Sequence, residues 1–205
     1  MTLSPPRAVL WDVGNVIVRW DPRALYAKVF EEPADIDRFL SHVCTIDWHI
    51  AHDLGVGFPE NAAPLIARFP EQEAEIRAWD ARFDEMLSGP IPETASVIDA
   101  LAARDVPQFA LTNMPQSKWP AVQAISPSHF GYFRDAIVSG DEGVIKPDRR
   151  IFEIVLERTG LAASDLLFID DSAANIEAAN AMGFHTHHFT DPAALRAAVE
   201  RHGLL

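Results

Sequence analysis

The sequence predicts a doubly wound α/β fold, a parallel sheet covered by helices, with a helical unit inserted after the first strand. Three observations carry this. Five short apolar runs punctuate the 205 residues, at 8–11, 109–111, 136–138, 166–169 and, more weakly, 185–189. They are continuous rather than alternating, as strands buried on both faces are. Helical patterns follow or separate four of them, the alternation expected of a parallel sheet.

The first run, AVLW, leads directly into Asp12. Residues 21–88 then break the rhythm and are helix-like throughout, with helices expected over 23–30, 35–43, 62–69 and 71–87. Breaks fall at Pro33, at Gly55 and Gly57, and at Pro70, and Gly89-Pro90 returns the chain to the core. A helix over 93–104 places Val97, Ile98 and Leu101 on one side. The next, over 151–159, repeats Ile151, Ile154 and Val155 and ends at Gly160, a natural C′ residue. Residues 173–182 carry Ile176 and Ala179 on one face and stop at Gly183. Asp191-Pro192 is an N-cap followed by proline at N1, opening a last helix through Leu195 and Val199. The expected organisation is a core of residues 1–20 and 89–205 with a helical cap of residues 21–88.

The formal net charge of −13 argues against nucleic acid or an anionic membrane as a partner, because phosphates repel such a field. An anionic substrate therefore needs a locally positive site. The single cysteine, Cys44, excludes an intramolecular disulfide, suits a reducing compartment and is expected to be a small buried residue. MTLSPPRAVLWD has no basic region leading into a long apolar stretch, so no signal peptide is expected. No segment approaches the roughly 20 apolar residues of a membrane span. The expected location is the cytoplasm.

In open parallel sheets, ligands bind beyond the carboxyl ends of the strands. Here Asp12 follows the first run, Thr112-Asn113 the second and Asp170-Asp171 the fourth, while Lys146 lies soon after the third. One polar residue after a strand is usually a turn former or a cap. Four sets together bring a carboxylate, a hydroxyl, an ammonium and a carboxylate pair to one edge.

The order WDVGNVIV, LTN, KPD and FIDDSAANIEAANAMG resembles the four sequential motifs of the haloacid dehalogenase superfamily. The likeness covers nearly the whole chain. It extends to a helical C1-type cap, as in subfamily IA, and to the subgroup whose first motif reads D-x-G-N. It implies a Mg²⁺-dependent hydrolase acting on a small phosphorylated metabolite, a sugar phosphate being one candidate. Asp12 would attack phosphorus to give an aspartyl-phosphate that water hydrolyses. Asp12 and Asp171 would bind Mg²⁺, Asp171 directly, with Asp170 acting through a metal-bound water and Gly14 through its backbone carbonyl. Lys146 would stabilise the charge, and Thr112, with backbone N–H groups near Asn113, would hold a phosphoryl oxygen. Asn175 would orient the metal shell or cap its helix.

The sequence departs from the superfamily pattern at one place. Most phosphatases that it resembles carry a second aspartate two residues after the nucleophile, and Gly14 stands there. What is lost is a general acid and base, worth about 10²–10⁴-fold. A good leaving group would make the acid unnecessary, or the cap could supply one from His49, His52, Asp53 or Glu60. A weak or retired enzyme that still binds ligands would also fit, and a metal-free 2-haloacid dehalogenase is the other alternative, which the acid pair disfavours because it calls for a metal. Trp48, Trp79 and Trp119 are expected in the core or an interface rather than a cleft. His185, His187 and His188 alternate as a strand does and are expected to be structural.

Overall fold

The computed structural model describes residues 5–205. Residues 1–4, which open the expected core segment and the stretch read for a leader, lie outside them. The chain runs β1 (Ala8–Trp11), β2 (Val18–Trp20), then α1 (Pro22–Tyr26), α2 (Pro33–His42), α3 (Ile46–Asp53), α4 (Phe58–Arg68) and α5 (Glu73–Ala81). It continues through β3 (Leu87–Pro90), α6 (Pro92–Ala102), β4 (Gln108–Thr112), α7 (Trp119–Ile125), α8 (Pro127–Phe130) and β5 (Phe133–Val138). Then follow α9 (Ser139–Glu142), α10 (Arg149–Thr159), β6 (Leu166–Asp170), α11 (Ala173–Ala181), β7 (His185–His188) and α12 (Leu195–Arg201).

Among the described residues, five strands form one sheet in the order β5-β4-β1-β6-β7, with every pair parallel. The continuous apolar runs have the physical cause expected of them. Val9 and Trp11 pack into one hydrophobic cluster, Ala8 and Leu10 into another on the opposite side. The second cluster takes Ile151, Phe152 and Val155 of α10 and Ala179 of α11. The first takes Val97, Ile98 and Leu101 of α6 and Leu195 and Val199 of α12, and it runs on into Tyr26, Phe39, Ile76 and Trp79 of the inserted helices. Each such side chain, fully buried, contributes roughly 1.5–3 kcal/mol.

Local chemistry sets the helix ends. Asp148 Oδ1 accepts from Arg150 N at 2.8 Å, and α10 stops at Gly160 with φ +68°. Asp191 Oδ1 accepts from Ala193 N at 2.9 Å, as its sequence suggested, although a short 3₁₀ turn precedes α12. Cys44 is buried. Trp79 belongs to the core cluster, with Trp48 and Trp119 packed against it.

Of the elements that were not expected, which include the short helices α7, α8 and α9, three bear on the site. β2 and β3 form an antiparallel ribbon, and Asp21 N donates to Met86 O (2.9 Å), so the two ends of the inserted helices lie side by side. The third is α3, begun by Thr45, whose Oγ1 accepts from Trp48 N at 3.1 Å. Its buried residues are His49, His52 and Asp53, so its inward face is polar and gives no apolar periodicity. Just beyond it, Gly55 (φ +91°) meets Gly140 backbone to backbone: a Cβ on Gly55 would lie 2.6 Å from Gly140 O. A Cβ on Gly140 would lie 2.7 Å from Gln116 N and 2.9 Å from Met114 O. Only side-chain-free residues permit this approach. No helix among the described residues is long and apolar enough to cross a membrane.

Candidate active site

Because β1, β4 and β6 are neighbours, the residues at their carboxyl ends meet. Asp12 follows β1, Thr112 ends β4 and Asp170 ends β6. Ligand oxygens of Asp12, Asp170 and Asp171 lie within 4.8 Å of one another. Lys146 Nζ sits among them, 2.7 Å from Asp12 Oδ1, 2.8 Å from Asp170 Oδ2 and 3.0 Å from Leu111 O. Each of its three N–H bonds thus has an acceptor, and the ammonium is buried. Burial works against its charge, but Asp12 and Asp170 outweigh burial and raise its pKa.

Asp12 Oδ1 also accepts from Val13 N at 2.7 Å. Burial pushes the Asp12 carboxyl up; Lys146 opposes the shift, and Asp170 and Asp171 add to it. Asp171 is raised as well, first by desolvation and then by Asp170. Its backbone carbonyl lies 3.0 Å from His188 Nε2, so the edge strand β7 helps place it. Asp170 is fully buried and heavily engaged: Ser172 N reaches Oδ1 at 2.8 Å, and Asn175 Nδ2 reaches both oxygens at 3.0 and 3.1 Å. Asn175, expected to orient the metal shell or to cap its helix, contacts the side chain of Asp170. The side chain of Asn113 holds the backbone of Lys146 on both sides, accepting from its N–H at 2.8 Å and donating to its C=O at 3.0 Å. That leaves its main chain, not its amide, for a ligand. The signal for both asparagines was present as sequence, but their partners are set by the tertiary fold.

Beyond Gly14 lies a cavity of about 120 Å³ lined by Val13, Gly14, Thr112 and Asn113 from the core and by Trp20, His49 and Asp53. A larger one, about 270 Å³, shares His49, Phe83 and Pro115 with it and adds His52, Trp79 and Lys118. Of the four acid candidates from the inserted helices, Asp53 and His49 line the cavity at Gly14. His52 faces the larger cavity, and Glu60 is exposed on α4. The three histidines of β7 are not among the grouped ligand residues, and His188 reaches only the backbone of Asp171.

Burial pushes the Asp53 carboxyl up to about 7, with Lys146 opposing the shift. Folding therefore favours the neutral acid. The stability this gives is complete below the ordinary carboxylate range and is lost as pH rises through about 7. Metal-free protein is expected to be less stable at pH 8 than at pH 6, by about 1.4 kcal/mol in total from one such group. Asp53→Asn should flatten that part of the slope. Urea unfolding in EDTA at both pH values reads it, and equal slopes for the two proteins would sink the assignment.

Residues 6–183 match the haloacid dehalogenase-like hydrolase family, and the chain belongs to it. Among curated relatives, it is 29% identical over 197 residues to mouse acyl-CoA dehydrogenase family member 10, covering 88% of this chain but 17% of that protein. It is 24% identical over 200 residues to a sesquiterpene phosphatase of Aspergillus oryzae, covering 90% of each. The fold matches a HAD family enzyme from Bacteroides thetaiotaomicron, solved as a magnesium complex, with TM-score 0.70, 20% identity and 90% and 93% of the two chains covered. It also matches an L-2-haloacid dehalogenase from Xanthobacter autotrophicus with chloropropionic acid covalently bound, at TM-score 0.63 and 15% identity, over 98% and 84%.

Proposed function

We propose that the chain is a Mg²⁺-dependent phosphatase of small phosphorylated metabolites, working through an aspartyl-phosphate on Asp12. The observation that carries this is the meeting of three carboxylates with one buried lysine at the carboxyl edge of the sheet. Three hard oxygen donors within 4.8 Å fit the coordination Mg²⁺ prefers, with the Gly14 carbonyl as a further donor. When bound, Mg²⁺ would offset the repulsion between the carboxylate and the phosphate. Asp171, the more exposed acid, is the direct ligand in this reading. Asp170 would reach the ion through water, which suits a carboxylate already accepting from Lys146, Ser172 and Asn175.

Asp12 attacks phosphorus, and Lys146 steadies its carboxylate and the charge that builds up beside it. Thr112 and the backbone N–H groups near Asn113 hold a phosphoryl oxygen. Residues 21–88 act as a cap over a core of residues 1–20 and 89–205, shutting out bulk water while the phosphoenzyme forms. A sugar phosphate, the narrower class expected, would place its ring in the cavity beside Asp53 and His49. A polar headgroup there would meet a wall that also includes Val18, Trp20, Ile46 and Leu87.

The acid pair beside Asp12 disfavours a 2-haloacid dehalogenase: without a metal, three carboxylates against the single ammonium of Lys146 would repel the substrate's own. A ligand-binding relative without activity would have no use for a buried nucleophile so arranged. The test is phosphate release from a panel of phosphorylated metabolites and halide release from a 2-haloacid, each with Mg²⁺ and with EDTA. The expected result is phosphate release that EDTA abolishes. Phosphate release indifferent to EDTA, halide release without metal, or silence across the panel would each overturn the reading.

A further inference from the structure

The leaving group of a phosphate monoester departs as an alkoxide unless something protonates it, and position 14, two residues after the nucleophile, has no side chain to do so. The cavity into which Gly14 opens is walled by apolar side chains, with Thr112 and Asn113 at the strand end and His49 and Asp53 from α3. Asp53 is 9% exposed, and its Oδ1 is buried without a hydrogen bond. His49 Nε2 lies 3.4 Å from that oxygen. Trp79 Nε1 donates to His49 Nδ1 at 3.2 Å, which fixes the imidazole proton on Nε2, the nitrogen that faces Asp53. Burial and then His52 lower the His49 pKa to about 3, so the ring is neutral and offers that N–H to a carboxylate.

The main chain at Asp53 is tied to the core. Ser139 Oγ donates to Asp53 O at 2.6 Å and accepts from Met114 N at 3.0 Å, and the Gly55–Gly140 contact closes the same corner. A helix end held so closely to β4 and β5 keeps its carboxyl at the site rather than in solvent.

We propose that Asp53 is the general acid and base of this hydrolysis, delivered from α3 in place of a carboxylate at position 14. The assignment rests on the phosphatase reading above. As Asp12 Oδ bonds to phosphorus and the ester P–O bond breaks, the Asp53 proton passes to the departing oxygen, giving the free alcohol and an Asp53 carboxylate. His49 Nε2–H steadies that carboxylate. A water oxygen then bonds to phosphorus, its proton passes to Asp53, and the Asp12–phosphorus bond breaks, returning both carboxyls and releasing phosphate. Burial holds the Asp53 proton in place up to about pH 7, with His49 and Lys146 the ionisable groups that face it.

The test compares Asp53→Asn with wild type on an alkyl phosphate and on p-nitrophenyl phosphate, both with Mg²⁺. With the alkyl ester, kcat should fall about 10²–10⁴-fold. The nitrophenolate needs no proton, so the variant should release a burst of one equivalent and then turn over slowly, because water attack still lacks its base. Gly14→Asp tests the geometry. A Cβ there meets no atom within 4 Å, so in the Asp53→Asn background it should restore at least about tenfold of the alkyl activity. A structural role for Asp53 would lower both substrates equally, give no burst and gain nothing from Gly14→Asp, and that pattern overturns the proposal. Wild-type turnover unaffected by Asp53→Asn does so too, with the phosphatase reading intact. An inactive wild type, or activity surviving Asp12→Asn, removes the phosphatase reading itself.

Discussion

Asp12→Asn is expected to lower Mg²⁺-supported phosphate release by at least about 10⁴-fold, the scale on which loss of a covalent nucleophile acts. The substitution is nearly isosteric. Its amide oxygen can still accept from Val13 N and from Lys146, which stand 2.7 Å from Asp12 Oδ1. What disappears is the negative charge that attacks phosphorus. The fold should tolerate the change, since two effects oppose each other: Lys146 keeps Asp170 at 2.8 Å but loses one anion, while Asp170 and Asp171 lose a like-charged neighbour. The check is steady-state phosphate release alongside near-ultraviolet circular dichroism. A variant that keeps its spectrum and more than about a hundredth of wild-type activity would remove Asp12 from the centre of the chemistry.

Lys146→Met carries the largest expected effect on stability. The lysine is the cation between two buried carboxylates, and removing one member of such a set costs about 3–5 kcal/mol because the remaining charge stays buried without a partner. Methionine keeps the length of the stem, so lost packing is a small part of this. The loss depends on pH in a definite direction. Asp12 is already raised above the ordinary carboxylate range, and without the ammonium it rises further. The destabilisation is therefore greatest at alkaline pH and shrinks as pH falls through that raised pKa. Saturating Mg²⁺ should recover part of it, since a bound cation stabilises the state that holds it. Urea titrations of metal-free and Mg²⁺-loaded protein at pH 6 and pH 8 measure all three trends. A variant as stable as wild type at pH 8 in EDTA would mean that the three-acceptor environment of Lys146 contributes nothing net.

Much of the core was legible because a parallel sheet writes itself as apolar runs. The run at 8–11 is the whole of β1, and the run at 166–169 stops one residue short of β6. The glycines at 160 and 183 closed α10 and α11 because they take the left-handed conformation, φ +68° and +88°. The carboxyl-edge rule then brings Asp12, Lys146, Asp170 and Asp171 together from the sequence alone. β5 was read as half its length because Arg134 and Asp135 interrupt the apolar run; these are the outer residues of an edge strand, paired on one side only. The ribbon of β2 and β3 was missed because three- and four-residue strands carry too little pattern.

α3 was missed for a chemical reason. A helix whose inward face is His49, His52 and Asp53 looks solvent-exposed to any rule that equates burial with hydrophobicity. Polar residues gathered on one buried face are a departure from that rule, and such departures concentrate at functional sites. The sequence could name Asp53 among four candidates. Choosing it required knowing that the turn after α3 lies against Gly140.

That turn also bears on how the protein can be reshaped. A laboratory-evolution library aimed at new substrates will sample positions around the pocket without regard to backbone clearance. Gly55 and Gly140 are the two at which any side chain collides with main-chain atoms, at 2.6 and 2.7 Å, so libraries should leave them fixed. Diversity belongs instead on Val18, Ile46, Leu87 and Val122, whose side chains line the neighbouring cavity at Gly14. Two positions that no ligand need touch thus mark the boundary between the part of this pocket that can drift and the part that must be inherited whole.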